Sequence, residues 1–132
     1  METSLYKDND QTPLHQKTDY LVEKVELWAK EKGILDAATP FQQFKKTEEE
    51  FYELKEAMLA HDLGVETFVN SKGVSKNTRE EILDAIGDVT VTLIILSKLL
   101  GTKFSDNLEN VYNIISKRTG TMLNGQFVKD NE

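Results

Sequence analysis

A chain of 132 residues, 39% apolar and 30% charged, is long enough for one globular domain with a buried core. Its 16 Lys and Arg against 23 Asp and Glu leave a formal net charge of -7, which disfavours attraction to nucleic-acid backbones and to anionic membranes. The absence of cysteine excludes disulfides, thiolate chemistry and Cys-ligated zinc, and suits a cytoplasmic protein.

In chain order, residues 1–17 read as a loose polar tail without the basic-then-apolar order of a secretion signal. Thr18 is placed to cap a first helix through DYLVEKVELWAKEK, where Leu21, Val25 and Trp28 recur at helical spacing and Gly33 supplies the stop. The second helix opens at Thr39, with Pro40 at its first position and Gln42 completing a capping box. Phe44, Phe51, Leu54 and Met58 give it an apolar stripe up to Gly64. The connection that follows, GVETFVNSKGVSKN, is long enough to be mobile or functional.

Asn77 or Thr78 starts a third helix, with Glu80 or Glu81 closing the box, and the apolar repeat carries it to Leu100. Within it, DVTVTLIIL has the Val and Thr alternation of a strand, and Gly87 weakens a helix by about 1 kcal/mol. The uninterrupted repeat from Ile82 to Leu100 is too long for an ordinary strand, so a helix is expected. Ser105 caps a fourth helix, DNLENVYNIISKR, with Leu108, Val111, Ile114 and Ile115 inward and Gly120 at its end. Residues 128–132 are a short tail, so the domain spans 18–127 and its class is all-α, four-helix-bundle-like. The uncharged run from Val89 to Ser97 is too short to span a bilayer.

The acids need an account. EEEFYELKEAM, residues 48–58, puts Glu48, Glu49, Glu50, Glu53 and Glu56 on one helix with only Lys55 among them. Like charges three or four positions apart repel by about 0.2–0.5 kcal/mol per pair on a solvated helix. At about 100° per residue, Gln43, Lys46, Glu50 and Glu53 share an arc of roughly 80°, set about 100° from the Phe44, Phe51, Leu54, Met58 stripe. On the third helix Glu81, Asp84 and Asp88 lie within about 60° of one another, on a line that continues as Val91 and Ile95. Carboxylates on an inward stripe must be neutralised, hydrogen-bonded or metal-bound. Lysine is too scarce there to pair with them all, and an all-oxygen set on two facing helices suits Mg²⁺ or Mn²⁺.

Plainer readings apply to each residue singly. An isolated EExxE is most often a solvated face, Glu50 fits a local Thr47 capping box, and Lys46 is spaced to pair with Glu50. Trp28 on an apolar stripe is more often core, and Glu80 and Glu81 suit the helix dipole. A carboxylate-bridged di-iron site wants Glu-x-x-His pairs, and neither His15 nor His61 has that spacing.

Taken in order, QFKKTEEEFYEL, REEILDAIGDVTVTL and ISKRTGTMLNGQF resemble the MazG-like all-α nucleoside triphosphate pyrophosphohydrolases, over about Trp28 to Phe127. The resemblance implies hydrolysis of a nucleoside triphosphate to monophosphate and pyrophosphate, with Mg²⁺ held by an ExxE and an ExxD on facing helices, in a homodimer or homotetramer. Carried over, ExxE is Glu50 with Glu53, ExxD is Glu81 with Asp84, and Glu49 is the candidate base for the attacking water. DAIGDV also aligns with the family's ELGDV segment, which makes Asp88 the last ligand and puts Ala85 where a Glu is expected, so the fourth ligand is Asp84 or Asp88. Lys46, Lys117 and Arg118 are candidate phosphate contacts, and Trp28, Gln43 and Asn124 candidate base contacts. The competing class is a non-catalytic helical interaction module.

Overall fold

The computed structural model describes residues 14–130. Five helices run as α1 (Leu14–Glu31), α2 (Ile34–Ala37), α3 (Pro40–Asp62), α4 (Thr78–Leu99) and α5 (Phe104–Ile115). Two antiparallel hairpins interrupt them: β1 (Thr67–Val69) with β2 (Ser75–Asn77) between α3 and α4, and β3 (Gly120–Leu123) with β4 (Gln126–Lys129) after α5. The described chain is thus mostly helical, with two small hairpins added to the expected helices.

Caps set the two long central helices. Thr39 Oγ1 accepts from Gln42 N at 3.2 Å while Gln42 Oε1 accepts from Thr39 N at 2.9 Å, so two of the orphan donors at the start of α3 are satisfied reciprocally. Asn77 Oδ1 accepts from Glu80 N at 3.0 Å and starts α4, which then runs unbroken through DVTVTLIIL. Thr90 and Thr92 turn their hydroxyls onto Ile86 O and Val89 O, which removes the polar cost of threonine inside a helix. Gly33, at φ +81, ends α1 in the left-handed region as anticipated.

Other boundaries differ from expectation. Helix α1 begins at Leu14, so Thr18 lies inside it; the rest of the expected tail is outside the described residues. Helix α5 begins at Phe104 after Lys103, and Ser105 sits in its first turn. The expected tail at 128–132 is in β4 as far as Lys129, because Asn124 and Gly125 take φ of 51° and 80°, the paired left-handed turn that matches strand twist.

Helices α3 and α4 form the most extensive packed pair, and α1 lies against α4. Ala57 and Ala60 of α3 and Ala85 of α4 are buried in company with Ile94 and Ile95, and small side chains let helix axes approach closely. The face of α3 that packs is the one carrying Gln43, Ala57 and Ala60, with Thr47, Glu50 and Leu54 half-buried between them. This corrects the expected orientation: Phe44, Phe51 and Met58 are exposed, and the acids lie on the packed seam rather than beside the core. No helix among the described residues is long and apolar enough to cross a membrane.

Candidate metal centre

Glu50 and Glu53 sit one turn apart on the seam face of α3, with side chains only 13% and 25% exposed. Across the seam, Glu81 of α4 is 13% exposed. Burial, reinforced by the neighbouring Glu53 carboxylate, raises the affinity of Glu50 for a proton, and Lys46 partly offsets this. Asp84 and Asp88, expected on the inward stripe, are exposed at the edge of the seam; partial desolvation still raises the pKa of Asp88, followed by the charges of Glu50 and Asp84, with Lys46 opposing. Asp88 therefore lies within electrostatic range of acids on both helices, which places Glu50, Asp84 and Asp88 in one field.

Three lysines answer the question of how so many acids are tolerated. Lys46 Nζ lies 3.2 Å from Glu49 Oε1 and 3.4 Å from Glu50 Oε1, and its pKa is raised chiefly by the hydrogen bond to Glu49. Lys76 Nζ is 3.6 Å from Glu81 Oε1, and Lys72 Nζ is 3.9 Å from Glu53 Oε1. Lysine is not too scarce for the seam, as the sequence had suggested, because two lysines arrive from the β1–β2 hairpin. The register pairs Phe68 with Lys76, and these are the half-buried positions of the two strands, so the hairpin's inner face carries Lys76 toward the helices. Its turn is folded by Asn70 Oδ1, which accepts from Lys72 N and Val74 N, and is tied to α3 where Ser71 N donates to Glu56 Oε2 at 2.9 Å.

The oxygen-only donor set fits a hard divalent cation in kind. As the side chains lie, no three Asp, Glu or His of the described residues converge closely enough to hold one. Lysine ammonium groups sit instead on Glu50, Glu53 and Glu81, so a divalent ion would have to displace them.

The sequence-derived contacts divide. Trp28, 46% exposed, lines an open apolar cleft of about 470 Å³ with Leu21, Lys24, Val25 and Val91, and Asp88 is the acid in its lining. That volume is in the range of small-ligand sites. Glu49 is at the rim beside Lys46, with its side chain half exposed. Gln43 is buried and its amide donates to Thr92 O at 3.2 Å, so it fastens α3 to α4 and is not presented to a ligand. Asn124 occupies the tip of the β3–β4 turn. Lys117 and Arg118 are exposed beyond α5, without an ion pair to the seam acids among the described residues. The residues missed from sequence were Lys72 and Lys76, whose signal was the turn pattern NSKG inside a connection read as a loop.

No family model matches the chain, and no solved structure matches it. Over 78 residues, 59% of its length, the chain is 35% identical to an uncharacterized 18.2 kDa protein of the rep-hol intergenic region of Haemophilus phage HP1. The match covers 38% of that relative.

Proposed function

We propose that this chain is a Mg²⁺-dependent pyrophosphohydrolase of the MazG-like type, cleaving a nucleoside triphosphate between its α- and β-phosphates to monophosphate and pyrophosphate, in nucleotide-pool cleaning. The observation that carries this reading is that Asp88 both lines the Trp28 cleft and feels the charges of Glu50 and Asp84 on the carboxylate seam. A polyphosphate needs the first and a base the second, and one ligand spanning both is a nucleotide.

Glu50, Glu53 and Glu81, with Asp84 or Asp88, are the residues that hold Mg²⁺, with Mn²⁺ as a substitute. The cation, when bound, neutralises phosphate oxygens and acidifies water. Trp28 offers a half-open aromatic face for the base. Glu49 has its carboxylate at the solvent rim, with one oxygen on Lys46, and accepts the proton of the attacking water. Lys46, which pairs with Glu49 and Glu50, would be available to a phosphate once a cation held Glu50.

A second copy of the chain is part of the proposal, as homodimer or homotetramer. Leu83, Ile86 and Leu93 on α4 and Leu108, Val111, Tyr112 and Ile115 on α5 are exposed apolar side chains, and α5 buries no residue at all. An amphipathic helix with its apolar face in water is incomplete. The same faces favour the alternative, a non-catalytic helical interaction module.

The test is a panel of canonical and damaged nucleoside triphosphates with Mg²⁺, scored for monophosphate and pyrophosphate by anion exchange, with Glu53→Gln as the control. Turnover that the control abolishes supports the enzyme. Blank lanes, with no heat in a Mg²⁺ titration, leave the interaction module.

A further inference from the structure

We propose that Lys72 and Lys76 of the β1–β2 hairpin are the residues that grip the substrate's β- and γ-phosphates, held in waiting on the metal-binding carboxylates. This rests on the pyrophosphohydrolase reading and replaces Lys117 and Arg118 in that role.

The argument starts from position. Lys76 and Lys72 lie 3.6 and 3.9 Å from oxygens of Glu81 and Glu53, one on each helix of the seam. Neither ion pair is needed to fold the hairpin, whose register, Asn70 turn and clamp of Ser71 on Glu56 are all made without the ammonium groups. Glu66 O accepts from Thr78 N at 2.8 Å, which ties the hairpin's base to the start of α4, so base and tip are both anchored while the two side chains remain long and adaptable.

A divalent ion held by Glu53 and Glu81 would offset the charge that holds these lysines, and their two ammonium groups would then be available on the hairpin side of the seam. An entering polyphosphate supplies the anionic oxygens that replace the carboxylates, and ammonium–phosphate hydrogen bonds are among the stronger polar contacts. On a protein of net charge -7, cations concentrated at one edge of the site also direct a polyanion to enter tail first.

The experiment uses the full chain with Mg²⁺ and two probes, inorganic triphosphate and a non-hydrolysable α,β-imido nucleoside triphosphate, titrated by calorimetry. Lys72→Gln and Lys76→Gln are each expected to weaken both probes about tenfold while Mg²⁺ alone binds as tightly as to wild type or more so, since a competing cation is gone. Lys72→Arg and Lys76→Arg are expected to recover most of the loss, and Lys117→Gln and Arg118→Gln to bind as wild type. Unchanged probe affinity in both glutamine variants, with wild type binding normally, overturns this inference and leaves the enzymatic reading standing. Loss of probe binding only in Lys117→Gln or Arg118→Gln also overturns it. A wild type that binds neither Mg²⁺ nor the probes overturns the underlying reading as well.

Discussion

Glu50 and Asp88 bind protons more readily in the folded chain than in the unfolded one, through burial first and neighbouring carboxylates second. Groups with raised folded pKa values penalise the native state fully above those values, and the penalty is relieved as pH falls through them. Metal-free protein is therefore expected to gain thermal stability, relative to Glu50→Gln, as pH drops from neutral toward the ordinary carboxylate range. Calorimetric scans of both proteins at a series of pH values check this, and parallel curves would show that Glu50 is not strained. The identity of the fourth ligand is also decided at single residues. Asp88 feels Glu50 across the seam and lines the Trp28 cleft, so Asp88→Asn is expected to stay nearly inactive over a whole Mn²⁺ titration. If Asp84 instead acts through a ligand, Asp84→Asn loses about 10- to 100-fold and is partly rescued by Mn²⁺. Wild-type turnover in both variants would leave Glu81 as the seam's only α4 ligand. The acids themselves were legible in the sequence because ExxE and ExxD spacings fix a helix face. Their lysine partners were not, since Lys72 and Lys76 reach the seam only through a strand register that spacing alone does not reveal.

At the scale of elements, the starts of the two central helices were legible, whereas Thr18 and Ser105 lie inside the helices they were expected to cap. Thr39 with Gln42 and Asn77 with Glu80 form the bonds their spacing implied, because capping is local chemistry that tertiary packing reinforces here rather than overrides. The hairpins were read poorly for two different reasons. In β3–β4 the Asn124–Gly125 pair is a strong turn signal that a reading of Asn124 as a base contact does not use. In β1–β2 only three residues pair on each side, too few to show alternation. The choice of inward face on α3 also went astray: phenylalanines outweigh alanines in any hydrophobic pattern, yet Ala57 and Ala60 are what allow α4 to approach. Asn77 joins these elements, since it ends β2 behind Lys76 and caps the helix carrying Glu81. Asn77→Ala is expected to cost about 1 kcal/mol, seen as a lower midpoint in urea with an unchanged slope. A change below about 0.3 kcal/mol, well short of the usual capping contribution, would mean that the cap is redundant with the hairpin.

For the molecule as a whole, the distribution of apolar surface decides more than the core does. Helix α5 stands off from its neighbours, leaving open clefts of about 460 Å³ against α1 and 310 Å³ against α4. Leu108, Val111, Tyr112 and Ile115 fall within about 100° of one another on it, a continuous apolar face. Full burial of each such side chain contributes about 1.5–3 kcal/mol, enough in combination to hold two chains together. Phe44, Phe51 and Met58 offer α3 a second stripe, which is how a dimer would extend to a tetramer. Val111→Asp puts a charge into the α5 face and is expected to return the particle to the 15.0 kDa monomer in light scattering, with helical content retained by circular dichroism. Activity should fall with it, because the apolar face of α5 continues onto α4, which carries half of the carboxylate seam. A Val111→Asp protein that keeps the wild-type mass and turnover would move the interface to the α3 stripe. A wild type already at the monomer mass would remove the second copy altogether, and the apolar faces would then belong to a partner of another kind.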